Sequence, residues 1–265
     1  MASAEELFRA GNLSGCLAEL QGEVRRRPAD AKLRIFLAQL LMLTGDWDRA
    51  LNQLSVVGEM DAGTLPMKHT YTAAIQCERL RAGVFAGQRS PLLFGDPTAW
   101  LALLLESFTV AGKGQAAQAA ELRAQALEQA PTTSGTANGT AFEWIADADS
   151  RLGPVLEVLL NGAYYWVPFE RIRRIVFEKP SDARDLVWLP AEFTWSNEGQ
   201  AFGLVPVRYP GSETSEDDAV RLARKTDWRD LGHDVFAGLG QRVIATSAEE
   251  FGLLELHEVT LDAGS

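Results

Sequence analysis

Ala31-Lys32-Leu33-Arg34-Ile35-Phe36-Leu37-Ala38-Gln39-Leu40-Leu41-Met42-Leu43, followed by Gly45-Asp46-Trp47 and then Ala50, Leu51 and Leu54, is the stretch from which the fold is read. Its apolar residues recur at helical spacing, Gly45-Asp46 breaks the run, and the spacing resumes after Trp47, so residues 31–58 read as two helices joined by a tight turn. Gly11-Asn12-Leu13 stands 34 residues before Gly45-Asp46-Trp47, which is the tetratricopeptide period. The earlier copy is poorer, with Cys16 in the small-residue position and Pro28 closing it. Leu80 to Phe85 echoes the stretch before Leu13, but a Gly- and Pro-rich loop, Gly87 to Pro97, replaces the second helix and carries Leu92-Leu93-Phe94. A last pair follows from Trp100, through the turn Gly112-Lys113-Gly114, to Ala130-Pro131. Residues 1–131 are therefore expected to form a tetratricopeptide-like α-solenoid, irregular in its third pair.

Residues 132–140 lack apolar periodicity and read as a linker. Beyond them, residues 141–265 read as a β-rich domain, a partly open sheet or a barrel with short helices, so the fold class is α+β in two domains. Asn161-Gly162 between Val155–Leu160 and Ala163–Val167 is the dipeptide that best suits a type I′ hairpin turn, because both residues must take positive φ. Pro168 to Ile172 reads as one helical turn begun by proline. Further strands are expected at 175–177, 186–189, 192–196, 202–207, 242–246 and 253–259. Ser215 reads as the cap of a helix over 219–225, with acids in its first turn and basic residues at its far end.

The chain has 265 residues, 46% hydrophobic and 23% charged, with 25 basic against 36 acidic residues and a net charge of −11. That balance excludes an electrostatic grip on nucleic acid, which needs Lys and Arg to displace condensed counterions, and disfavours anionic membrane surfaces. No apolar run reaches the roughly 20 residues of a membrane span, and the start lacks a signal-peptide pattern, so a cytoplasmic address without membrane insertion is expected. Cys16 and Cys77 read as small buried hydrophobes. His69, His233 and His257 are scattered, no phosphate-loop or metal-ligand spacing exists, and Gly238-Leu239-Gly240 reads as a turn before a strand at Arg242. His233-Asp234 with Ser212 or Ser247 is a combination any chain of this length offers by chance, and Glu249-Glu250 reads as a solvated helix start. No catalytic residue, metal site or cofactor is expected. Arg171, Arg173 and Arg174 are expected to pair with the flanking Glu170 and Glu178, an acidic partner segment being the alternative. The tryptophans read as core, or as an aromatic groove where they meet an open sheet face.

Three strings in the second half resemble one family together: Trp166-Val167-Pro168-Phe169 with Arg171-Ile172, Arg184-Asp185-Leu186-Val187-Trp188-Leu189-Pro190-Ala191, and Val205-Pro206-Val207-Arg208-Tyr209-Pro210-Gly211-Ser212. In that order, behind an irregular tetratricopeptide-like half, they are similar to the ImpE/TagJ family of bacterial type VI secretion accessory proteins. The resemblance implies a cytoplasmic, non-enzymatic adaptor that binds the N-terminal helix of the small sheath subunit and helps link contracted sheath to the AAA+ unfoldase that recycles it. On repeat geometry Lys32, Ile35, Gln39 and Met42 line the inner surface of the second helix pair, or Ile35 and Met42 pack between repeats. A groove on the β-rich domain built from Trp166, Phe169, Trp188, Arg208 and Tyr209 is equally open, as is a purely structural role in which Arg208 pairs with an internal acid. The competing classes are a general tetratricopeptide co-chaperone or regulatory scaffold that captures a terminal peptide carboxylate, and an enzyme in the β-rich half.

The charge divides unevenly: residues 1–140 hold 13 basic and 14 acidic side chains, residues 141–265 hold 12 and 22. A nearly neutral helical half is expected to bind by apolar packing, and a negative second half to attract a basic surface.

Overall fold

A computed structural model describes residues 2–262. Its helices start and stop where local chemistry directs. Helix α1 (Ala4–Arg9) opens with a capping box between Ser3 and Glu6, and α2 (Leu13–Arg26) has Asn12 accepting from the Gly15 N–H. Helix α3 (Ala31–Leu43) is capped by Asp30, whose carboxylate accepts from the Lys32 and Leu33 N–H groups, and α4 (Trp47–Met60) follows at once. Gly11 and Gly45 both take left-handed φ, +81° and +70°, so the 34-residue spacing is a spacing of turns that only glycine enters freely. Helix α5 (Leu65–Phe85) has no following partner helix, as the broken period foretells. The chain instead runs into strand β1 (Leu92–Leu93), which pairs in parallel with the main sheet. Helices α6 (Ala99–Gly112) and α7 (Ala116–Gln129) form the last pair.

The second half is built on an open sheet. Strands β2 (Gly135–Ala137) and β3 (Thr140–Phe142) form a hairpin, so only the first three residues of the expected linker over 132–140 lie outside the sheet; β2 pairs with the final strand, β14 (Glu258–Leu261). Strands β5 (Val155–Leu160) and β6 (Ala163–Pro168) meet through Asn161 and Gly162 at φ +50° and +77°, as a type I′ turn requires. Pro168 ends β6, and the helical turn expected there is a 3₁₀ turn at Phe169–Arg171. Strand β7 (Ile172–Phe177) follows, and the two strands expected at 186–189 and 192–196 are one strand, β8 (Trp188–Trp195). Pro190 is tolerated inside it because its carbonyl faces Glu178, beyond the end of β7, where no ladder donor is missed. With β9 (Gln200–Pro206) the order is β1-β6-β5-β9-β8-β7-β14-β2-β3, nine strands with unpaired ends and no barrel closure. Strand β4 (Ile145–Asp147) joins β12 (Val243–Thr246) and β13 (Glu250–Gly252) in a small sheet. Strands β10 (Thr226–Asp230) and β11 (Phe236–Gly240) form a separate hairpin.

Four local expectations are corrected. The helix expected over 219–225 is the single turn α8 (Asp218–Arg221), capped by Asp217 rather than Ser215. Ala223 turns left-handed at φ +53°, and Arg224 reaches back to the Phe8 and Arg9 carbonyls at the end of α1. Gly238-Leu239-Gly240 lies within β11 and not in a turn, and Gly238 lacks a side chain where a Cβ would come within 2.2 Å of the Tyr209 ring. Glu250 opens strand β13, not a helix. Residues 253–259 divide into a 3₁₀ turn at Leu253–Glu255 and the start of β14, a strand that places Val259 and Leu261 in the core.

The sheet is buried on both faces along β5, whose six residues are all buried. Val155 and Leu159 face the helices, in one core cluster with Leu40, Ile75 and Leu104, while Leu156, Val158 and Leu160 face a second cluster with Phe193 and Ile244. The first cluster crosses the boundary between helical and β-rich halves. The second half of helix α3 is buried without interruption from Leu37 to Leu43, while its first half, Ala31 to Phe36, stays partly exposed. No helix among the described residues is long and apolar enough to cross a membrane.

Candidate functional site

Of the residues singled out from the second half, Trp166, Trp188 and Arg208 meet the helices at a buried junction with the sheet, while Phe169 packs in the core on the sheet's other face and Tyr209 in the buried network behind the junction. Trp166, Phe169, Trp188 and Tyr209 are at most 1% exposed, and Arg208 is 4%. Trp188 donates its indole N–H to Glu78 of α5 at 2.9 Å and packs on Trp47 and Tyr71 at 6.1 and 5.9 Å. Trp166 donates to the Tyr164 hydroxyl at 2.8 Å, which itself donates to Glu157. Glu157 is the hub: Arg81 of α5 grips it from Nε at 2.7 Å and Nη2 at 2.8 Å, and Arg242 pairs with it from the other side. Arg242 also pairs with Asp147, to which the Tyr209 hydroxyl donates at 2.9 Å. Arg208 donates to the Leu43 carbonyl at 2.7 Å and the Arg221 carbonyl at 2.6 Å. It sits at the C-terminal end of α3, where the helix dipole favours a cation.

Burial and charge set the protonation of this junction. Burial alone pushes the Glu157 carboxyl up, but Arg81 and Arg242 outweigh it and leave its pKa at about 2. Burial dominates at Asp147, raised to about 6 against the pull of Arg242. Burial likewise lowers Arg208 to about 10, which leaves it charged at neutral pH. Every charged group here is paired or held by carbonyls and only Glu78, at the margin, is partly exposed, so the arrangement latches α3 and α5 to the sheet. The expectation that Trp166, Phe169, Trp188, Arg208 and Tyr209 line a partner groove is thereby corrected: their contact surface is already consumed inside the fold. Met42, fully buried, is corrected for the same reason.

Lys32, Ile35 and Gln39 are brought together. At i, i+3 and i+7 they share one face of α3 and line an open groove of about 430 Å³ between α1, α3 and the segment Asp182-Ala183. Phe8 and Phe36, in edge contact at 5.8 Å, form its apolar floor, and Glu5, Arg9, Lys32 and Asp182 bring both signs of charge to its rim. Sequence reading missed Phe8, Phe36 and Asp182; the one signal for the last was its place two residues before the Arg184-Asp185 string.

The remaining candidates are dispersed. Arg173 pairs with Glu198 in the turn between β8 and β9, and Arg174 with Glu258 of the neighbouring strand β14, rather than with the flanking acids. His233 and Asp234 occupy an exposed turn, while Ser212 Oγ is committed to the Tyr209 carbonyl and the Gly240 N–H, and Ser247 Oγ to the Glu143 N–H. Among the described residues no His, Cys, Asp and Glu cluster fits a metal ion. Both cysteine thiols are buried, and burial raises each to about 11.

Residues 139–260 match the ImpE protein family. The type VI secretion system accessory component TagJ of Pseudomonas aeruginosa is 49% identical over 259 residues, spanning 98% of this chain and 91% of that one. The chain belongs to the ImpE/TagJ family. The crystal structure of protein VPA1032 from Vibrio parahaemolyticus superposes with a TM-score of 0.89 at 26% identity, over 98% of this chain and 97% of that one. In this ImpE-family chain the three family-like strings supply Trp166, Trp188 and Arg208 to the contact between the two halves, and Tyr209 to the buried network behind it.

Proposed function

We propose that this protein is a cytoplasmic, non-enzymatic accessory of type VI secretion that receives the N-terminal helix of the small sheath subunit in the groove between α1 and α3. The observation that carries the reading is the 49% identity to TagJ across nearly the full chain. The groove supports it in kind: an apolar floor of Phe8, Ile35 and Phe36 with mixed charge at the rim suits one face of an amphipathic helix. Helix capture there leaves the junction untouched, so the adaptor presents its sheet half to a second partner, the sheath-recycling unfoldase.

Calorimetry of the full chain with a peptide copying that first helix tests the reading. Binding with a Kd on the order of 10 μM is expected, weakened at least tenfold by Ile35→Asp, which places a charge on the apolar floor at a half-buried position. Absence of heat at high micromolar peptide overturns the partner; full-strength binding by the variant overturns the groove.

A further inference from the structure

On the side of the molecule formed by α6 and α7, Arg123 is 8% exposed, and neither its Nε nor its Nη1 meets a protein acceptor among the described residues. Three more deeply buried arginines direct their donors to carboxylates or carbonyls: Arg81 to Glu157, Arg208 to Leu43, Arg242 to Asp147. A guanidinium taken out of water without an acceptor is costly, and it does not escape by losing its proton. Burial, then the like charge of Arg151, pull its pKa below the usual arginine value. Asp149 pushes the other way but is already gripped at two points by Arg151, at 2.9 and 2.6 Å.

Arg123 lines a pocket of about 220 Å³ between α6, α7 and the turn at 231–235. Ala116, Ala119 and Arg123 bring one face of α7 to it at i, i+3 and i+7, and the helix begins there with no side-chain cap from Gln115. The positive end of a 14-residue helix and a free guanidinium therefore serve the same space. The rest of the lining is mainly apolar, including Phe85, Phe108 and Val235; its polar members are Ser107, whose hydroxyl donates to the Leu104 carbonyl, and Arg151, whose charge is taken up by Asp149. None of these residues belongs to the α1–α3 groove.

We propose that this pocket is a binding site for a carboxylate carried on a short apolar body, with Arg123 as its counter-ion. A planar carboxylate matches the guanidinium fork, and one free cation neutralises a monoanion better than a phosphate dianion. The apolar walls take the carbon body. A free organic acid and the C-terminal residue of a protein chain present the same chemistry.

Calorimetry and thermal shift on the full chain distinguish them, using 3-phenylpropionate and an acetylated Gly-Gly-Leu peptide, each beside its neutral amide. At least one acid is expected to bind with a Kd on the order of 1 mM, at least tenfold tighter than its amide. Tighter binding of the peptide assigns the source to a protein terminus, and tighter binding of the free acid to a small metabolite. Arg123→Met keeps the helix and most of the volume; it is expected to raise the melting temperature of the free protein and abolish the response to acid. Ala116→Leu fills the pocket from an exposed position without touching the charge and is expected to weaken binding at least fivefold. Equal binding of acid and amide, an undiminished response in either variant, or no response to either acid at 10 mM overturns the proposal and leaves the guanidinium to water.

Discussion

Glu157 shows how one side chain sets a pH dependence. Its folded pKa of about 2 lies below the ordinary 4.5, so the unfolded chain binds that proton more readily. Its stabilising contribution is complete above pH 4.5 and is lost as pH falls toward 2. Asp147 has the opposite sign: raised to about 6 from 3.8, it favours the fold on the acid side and loses that contribution as pH rises through 6. Glu157→Gln is expected to cost about 3 kcal/mol at pH 7, because Arg81 and Arg242 lose their shared counter-ion. It should also flatten the fall in stability between pH 4.5 and 2, measured by urea unfolding across that range. An unchanged acid slope would place the dependence elsewhere. At the same scale, the sequence showed Glu157 only as an acid inside an apolar strand. Its role was illegible because Arg81 and Arg242 lie 76 and 85 residues away.

Among elements, α3 carries the most. Its spacing announces a helix, Asp30 starts it and Gly45 closes the turn after it, all signals within a few residues. What ends it against the sheet is Arg208, 165 residues further on, donating to the Leu43 carbonyl. Arg208→Met is expected to lower stability by about 2 kcal/mol, through a lost cap and carbonyls left buried without donors, read as a melting temperature lower by roughly 5 °C. A variant as stable as the parent would show that α3 holds its end without this contact. The groove residues divide in the same way: Lys32, Ile35 and Gln39 follow from helical periodicity, but Phe8 and Asp182 arrive from other elements. Met42 shares the α3 sequence pattern yet lies on the covered side, a distinction periodicity does not make in a helix apolar all round.

For the whole molecule, the shared core sets the cooperativity. One apolar cluster holds α3 and α5 residues together with Val155, Tyr164, Trp166 and Trp188 of the sheet. Helical circular dichroism, reporting the first half, and tryptophan fluorescence, weighted to the second, are expected to give coincident urea transitions. Separation of the two midpoints by more than about 1 M would reveal two independently folding units. Four acids of the negative half, Asp147, Asp149, Glu157 and Asp185, are buried and hydrogen-bonded, against two buried bases, Arg208 and Arg242, so its net charge overstates by about two charges the field it offers a partner.

By itself the sequence determined the α+β class, the turns at Gly11, Gly45 and Asn161-Gly162, and the family, because turn geometry and helical spacing are local demands that a few neighbouring residues satisfy. Only the tertiary structure decided that Trp166, Trp188, Arg208 and Tyr209 are buried inside the fold rather than forming a binding face, and that Arg123 stands buried with its Nε and Nη1 lacking an acceptor. Whether a polar or aromatic side chain is exposed, paired or stranded depends on what distant segments place around it, and desolvation is a property of that packed surrounding rather than of the residue.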